Sequence, residues 1–539
     1  MRLAQERVFS RPFKVRQRAV EQCLSQFGLR PGPYRLARNR VTRDENQIVR
    51  LRAALETLGP VFCSFGLYMS TRRDLLAAQD CVQLASLASH APELSPGLIR
   101  EQIKRELGCS PDEIYRDFTE TPFVSGLLVQ QHSAWLHDGR PVMVKLIRPE
   151  VEELAYYDSQ LLHLLRGAFM SSGCTSTQIE SAIEDFISTL QQHTDFLLHA
   201  DAVARLEQDM EAFGMLRVPS VQRQFTTSRV LTIERLPGQT LEEILDDSNR
   251  LNDDERYALA HRVCVVWLRQ SLLGSVFPAE PASANITILP TNQIAFTEGA
   301  LASLPIQAKA NVWDYMIAAL RDDPDRACSS LLKEMEAGDG AVSDVELRQG
   351  FRQLVPFRDS DWSYGRDNNS LAEYLLMHWK FMHQNSYEPR AHVPSFYRGL
   401  LTIAGLARQL TSKGDPLQRA LQDVRVLAET ERLRDLLSTS HLTEQMDTYL
   451  ALMMHFPQRL DQALTAIATR EVRAGETSHG RKKKNSSAVE IAIWLMLGAS
   501  VLLVQHFETA LTGSQSGRFD IVVIVLVGGL LLLTINRRR

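Results

Sequence analysis

Two acids and an amide, Glu280, Asn285 and Glu298, stand close together in the sequence. They lie in residues 277–299, FPAEPASANITILPTNQIAFTEG. This stretch reads as an apolar lead-in, a Pro-rich loop, Asn285, a short strand over 286–289, a turn at 290–292, a second strand over 294–296, and Glu298. An acid, an amide and a second acid in that order have the layout of a nucleotide–metal site. A hard divalent cation takes one or two protein oxygens and leaves the rest of its shell to phosphates and water. The bland alternative is a pair of solvated loop acids and an Asn that caps a turn.

A phosphate site also needs a cation, and the sequence offers one in an unusual place. Residues 141–147, PVMVKLI, alternate so that Met143 and Lys145 share one strand face, while Val142, Val144 and Leu146 share the other. A lysine inside an apolar strand is costly unless its amine reaches an anion; snorkelling from an edge strand is the alternative. The turn His137-Asp138-Gly139 pairs this strand with 133–136, itself preceded by 121–131, as a hairpin. Upstream, residues 15–107 read as helical, with helices ending near Gly59-Pro60 and others over 70–76, 80–89 and 98–107. Downstream, 152–169 and 175–206 read as long helices, 218–221 and 229–234 as strands, and 253–273 as a helix. Residues 306–470 read as helical, with loops near 356–367 and 385–394. The order of helices, hairpin, helices, strands, helix, catalytic-looking loop and helices fits a two-lobed α+β fold better than a doubly wound sheet.

With 539 residues the chain can bury a large core. Its net charge of −4 hides an asymmetry: the first 43 residues hold eleven Arg or Lys against Glu6 and Glu21. Such an arm suits either an anionic membrane surface or an ordinary solvated helix. The seven cysteines are scattered singly, which fits a reducing compartment and disfavours a zinc site. Residues 488–507 and 521–535 are apolar runs. As helices they would extend roughly 30 and 22 Å, against a hydrocarbon core of ~30 Å. The basic residues 481–484 and 537–539 flank the pair, so both termini and the bulk of the chain are expected on the cytoplasmic side.

Residues 50–76 (RLRAALETLGPVFCSFGLYMSTRRDLL) resemble the signature helices of the UbiB/AarF family of atypical kinase-like proteins. Residues 145–149 (KLIRP), Asp195-Phe196, Glu234-Arg235, the 277–285 loop and the two C-terminal apolar runs resemble the same family, in its ubiquinone-biosynthesis branch. The likeness covers nearly the whole chain. It implies an atypical two-lobed protein-kinase-like fold with a helical N-terminal extension and a C-terminal transmembrane hairpin. The segments are 1–107 (basic arm and helical extension), 108–240 (N-lobe-like with inserted helices), 241–470 (helical C-lobe-like), 471–487 (basic linker) and 488–535 (two spans).

The resemblance also locates departures. The family's Lys-x-Gly-Gln motif reads Ser64-Phe65-Gly66-Leu67. Its small-residue nucleotide loop is crowded by Leu127, Leu128 and Val129, although Gln130 and His132 survive. Two family acids stand here as His193 and His199. The catalytic loop, His-Ala-Asp-x-His-x-Gly-Asn in the family, keeps Asn285 but has Glu280 for Asp and loses both histidines. Glu298-Gly299-Ala300 replaces Asp-Phe-Gly. A neutral His193 cannot serve Lys145 as a carboxylate would, so Lys145 is expected to turn to Asp195 or to phosphate.

By resemblance, Lys145, Gln130, Asp195 and Glu234 belong to the cofactor pocket, Asn285 and Glu298 hold Mg²⁺, and Glu280 is catalytic. The implied cofactors are ATP or ADP with Mg²⁺, their binding left open by the departures. The implied partners are a lipid membrane, isoprenoid-quinone precursors and quinone-biosynthesis proteins, with a homodimer open and no nucleic acid; the setting is the inner membrane in a Gram-negative cell. Three functions compete: a pseudokinase, a weak ATPase or kinase of quinone metabolism, and a lipid-handling scaffold. The departures favour the pseudokinase.

Overall fold

The computed structural model describes residues 11–29, 47–210, 213–247, 251–338, 340–354 and 370–436. The chain divides into two compact units, 1–434 and 435–539. The linker 471–487 and both apolar runs lie outside the described residues. Among the described residues no helix is long and apolar enough to cross a membrane.

The centre of the first unit is a five-stranded antiparallel sheet. Tyr115–Phe118, Val129–Leu136, Pro141–Ile147 and Val230–Glu234 lie side by side in that order, with Val124–Ser125 paired to Val129–Leu136. Alternation sorts its faces as expected. Val142, Val144, Leu146 and Val230 pack with Ile99, Ile103 and Tyr115 on one side. Leu231, Ile233 and Met143 join the helices of the N-terminal extension on the other. A second four-stranded sheet carries Ile286–Ile288 and Ile294–Phe296, the two short strands expected around the 290–292 turn. Helices over residues 253–436 enclose the largest apolar cluster, built around Trp267, Phe277, Tyr315, Trp379 and Phe396.

Several boundaries differ from expectation for identifiable reasons. The helix after Gly59 spans Pro60–Ser70 rather than 70–76. Proline at its first position fits a helix start, while residues 71–76 coil into turns around the buried Arg72–Asp74 pair. The expected helix 175–206 breaks at Asp195, whose φ of −142° and ψ of 98° are extended; the pieces are Ser176–Thr194 and Phe196–Met210. The strand placed at 218–221 is instead Leu216–Arg217, with Val221 making an isolated bridge to Ile233. A two-stranded ribbon, Met335–Ala337 with Tyr387–Pro389, interrupts the helical reading of 306–470. In the basic arm, the helix Arg11–Gln26 docks through Val20, Cys23 and Leu24. Its Arg16 pairs with the fully buried Asp158 at 2.7 Å.

Candidate functional site

The catalytic-looking loop is held in place by its own backbone and by Asn285. The Asn285 Nδ2 donates to the Glu280 carbonyl at 2.8 Å, and the Thr297 N–H donates to the Asn285 carbonyl at 3.0 Å. Gly299 adopts φ 90°, and a Cβ there would meet the Glu280 carbonyl and the Asn285 Nδ2 at 3.1 and 3.2 Å. Glycine is therefore required twice over, by backbone conformation and by space. Gln192, near the end of the helix Ser176–Thr194, clamps the next strand by exchanging two hydrogen bonds with the Leu301 backbone, at 2.6 and 2.9 Å. Glu280, Asn285 and Glu298 are thereby brought into one site.

Lys145 reaches that site, through a partner the sequence did not indicate. Its ammonium, 5% exposed, lies 2.5 Å from Glu298 Oε1 and 3.3 Å from the Thr297 carbonyl. The expected recruitment of Asp195 is not what the geometry gives. The Asp195 Oδ1 instead accepts the Leu197 N–H at 3.0 Å, tying the break between the two helices.

The replacements at the lost acids also behave differently from expectation. The His193 Nε2 lies 2.7 Å from Glu280 Oε2. Burial works against the imidazolium, but the Glu280 carboxylate outweighs it and the His193 pKa rises. Burial likewise opposes the Glu280 charge. His193, Arg398 and the Ala300 N–H together overcome it and bring the carboxyl down to about 2. His193 therefore serves Glu280 rather than Lys145. His199 is held neutral, its pKa lowered to about 3 by burial and then by Lys145 and His193.

The remaining expected pocket residues sit in other networks. Gln130 is fully buried; its Oε1 accepts the Leu94 N–H at 2.9 Å and its Nε2 lies 3.0 Å from His132 Nε2. Glu234 receives both its bonds to Arg217 at 2.9 Å and is also bonded by Ser220. Leu127, Leu128 and Val129 pack against the cluster of N-terminal helices together with Leu67. Arg148 donates to the Gly126 and Pro92 carbonyls at 2.8 Å each, fixing this loop from within. Sequence reasoning missed Arg398, Asp185 and Tyr68. Their only signal was polar residues at apolar helical spacing, Asp185 among Ile179, Ala182, Ile183 and Phe186, and Arg398 among Phe396, Leu400 and Ile403.

An ABC1 atypical kinase-like domain matches residues 86–331. A probable protein kinase UbiB of Pseudomonas paraeruginosa is 31% identical over 371 residues, covering 67% of this chain and 68% of that protein. The chain belongs to the UbiB/ABC1 family. Within the family, a Synechocystis relative named only as uncharacterized protein sll0095 is 26% identical across 88% of this chain and 85% of its own length. A probable protein kinase UbiB of Aeromonas hydrophila is 29% identical, and the chain spans only 53% of its length. A solved structure of Rv3197 with erythromycin, from Mycobacterium tuberculosis, overlaps 76% of this chain and 96% of its own at 17% identity and a TM-score of 0.44. So loose a likeness carries no argument about ligands. The atypical kinase-like fold, of mixed helix and sheet, is thus established by family membership.

The UbiB/ABC1 frame gives the site geometry a chemical meaning. With its Nδ2 committed to the Glu280 carbonyl, the Asn285 amide has its Oδ1 as the remaining acceptor. Asn285 and Glu298 therefore fit a hard divalent cation such as Mg²⁺ in donor type. Lys145 competes with any such cation for Glu298.

Proposed function

We propose that this chain is a UbiB-like pseudokinase, anchored to a membrane, that binds nucleotide with little or no turnover in support of isoprenoid-quinone or membrane-lipid metabolism. The observation that carries this reading is the internal pairing of the site's charges, Lys145 with Glu298 and His193 with Glu280. A general base works best with a pKa near the operating pH. Glu280, brought to about 2 between His193 and Arg398, is a weak proton acceptor. Lys145 must leave Glu298, or share it, before it can hold phosphate. A bound Mg²⁺ would be held by Asn285 and Glu298 and would neutralise phosphate charge. The orientation of Asn285 favours a second reading, a slow ATPase in the same pathway. The quinone connection comes from the family and the names of its UbiB relatives.

Nucleotide-dependent thermal stabilisation and phosphate release, measured on the full chain with and without Mg²⁺, test the reading. ADP and ATP are expected to stabilise, with hydrolysis at background. Turnover in the ~1–100 s⁻¹ range of protein kinases, abolished by Glu280→Gln, would overturn it. Glu298→Ala is expected to release Lys145 to phosphate. Mg²⁺-free ADP binding should then tighten about tenfold, equivalent to about 1.4 kcal/mol, and its Mg²⁺ dependence should vanish. Calorimetric affinities unchanged in both conditions would show that Lys145 and Glu298 take no part in nucleotide binding.

The anchor is proposed to be the hairpin of residues 488–535, with both termini cytoplasmic. Deleting residues 485–539 should move the chain from the membrane fraction to the soluble fraction. Retention at the membrane would transfer that role to the basic N-terminal arm.

A further inference from the structure

Arg398 is a buried guanidinium whose other contacts lead away from Glu280. It is 5% exposed and lies on the helix Val393–Leu410. Its Nη1 is 3.9 Å from Glu280 Oε1, and its Nη2 is 3.6 Å from Asp185 Oδ2. Both are ion-pair distances too long for hydrogen bonds. The Nε and Nη2 donors find no hydrogen-bond partner among the described residues. The guanidinium lies over the Tyr68 ring, 4.9 Å from its centroid. Asp185 accepts the Tyr68 hydroxyl at 2.7 Å and also the Ser395 hydroxyl. The Arg72 Nη1 donates to the Tyr68 oxygen at 2.9 Å. A continuous set of buried polar groups therefore runs from the N-terminal extension, through Asp185, to Glu280.

We propose that Arg398 is a positioning residue for Glu280, and that Tyr68 and Asp185 couple its position to the N-terminal helical extension. The inference rests on the preceding reading only in taking Glu280 as a site residue. Glu280 divides its oxygens: Oε2 faces His193 and the Ala300 N–H, and Oε1 faces Arg398. His193 and Arg398, on two different helices, thus fix one carboxylate from both sides. Arg398 is held by charge and by ring stacking rather than by hydrogen bonds. It can shift its weight between Asp185 and Glu280 without breaking a bond, so a movement of Tyr68 reaches the catalytic loop. The charged or titratable groups facing this pair are His193, Asp185, Tyr68 and Arg72, with Lys145 and Glu298 beyond His193.

The test uses the full chain carrying Arg398→Gln, Arg398→Lys, Tyr68→Phe and the Arg398→Lys/Tyr68→Phe double substitution. Two readouts are used: amide hydrogen exchange over 279–300, and the same exchange along the helices 253–273 and 393–410. Arg398→Gln should speed exchange at 279–285 and 298–300 about tenfold and leave the two helices unchanged. Arg398→Lys should restore slow exchange in the loop. Tyr68→Phe should speed exchange at the same loop amides, and should add nothing in the Arg398→Lys background. Unchanged loop exchange in a folded Arg398→Gln chain would overturn the proposal. So would exchange rising equally along the helices 253–273 and 393–410, which marks a purely structural arginine. If Arg398→Gln does not fold, additivity of Tyr68→Phe with Arg398→Lys would overturn it instead. Neither readout uses nucleotide, so a chain that binds none would sink the pseudokinase reading and leave this one standing or falling by itself.

Discussion

Asp74→Ala is expected to destabilise the chain by roughly 3–5 kcal/mol, the usual cost of removing one partner from a buried ion pair. Arg72 and Asp74 have side chains 4% and 9% exposed. Three contacts of 2.7–3.2 Å join them, from Arg72 Nε and Nη2 to the two Asp74 oxygens. The His383 Nε2 lies 3.6 Å from the same carboxylate, and its Nδ1 lies 3.0 Å from Glu388. Burial opposes the Asp74 charge, yet Arg72 and then His383 outweigh it and hold the carboxyl well below its ordinary range. Without Asp74, Arg72 would be a buried cation left with the Tyr68 hydroxyl and the more distant Asp185 charge, and His383 would lose one of its two acids. Asp74→Asn keeps the shape and one acceptor, so it should cost less. Denaturant midpoints for the two variants check this. A loss below about 1 kcal/mol for Asp74→Ala, the level of an exposed pair, would show that water reaches the knot.

The same residues show how far the sequence could be read. Ser70–Leu75 was recognisable as a family signature, but nothing in the string said why. The structure supplies the reason, because Arg72 and Asp74 join the helical extension to His383 and Glu388 some three hundred residues on. Lys145 was legible because strand alternation made its burial conspicuous. Its partner was not, because Glu298 is 153 positions away and only the fold brings the two together. The losses at Lys-x-Gly-Gln and at the two acids lie far apart along the chain. In space they are coordinated. Leu67, Leu127 and Leu128 share one apolar cluster, and His193 pairs with Glu280. Gly66 survives for a packing reason: a Cβ there would sit 2.4 Å from Leu87 and 2.7 Å from Leu55.

Trp267→Ala is expected to cost roughly 3–5 kcal/mol and to loosen the catalytic loop along with the core. The indole is fully buried, with Phe396 at 5.5 Å and Phe277 edge-on at 6.0 Å between ring centroids. Its Nε1 donates to the Pro278 carbonyl at 3.0 Å. Pro278 stands where the family motif has its first histidine, and this bond ties the start of the 277–285 loop to the core. The opposite wall is as tight, since a Cβ on Gly399 would come within 2.5 Å of the indole. Two variants separate volume from hydrogen bonding. Trp267→Phe keeps much of the ring but strands the Pro278 carbonyl, for about 1–3 kcal/mol. Gly399→Ala keeps the bond but overpacks the wall, for a similar ~1–3 kcal/mol. If the bond positions the loop, Trp267→Phe should raise amide exchange at 279–285 more than Gly399→Ala does at matched stability. Equal exchange there would mean that shape alone holds Glu280 in register with His193. The frame of the site would then depend on the core's packing rather than on any residue of the catalytic motif.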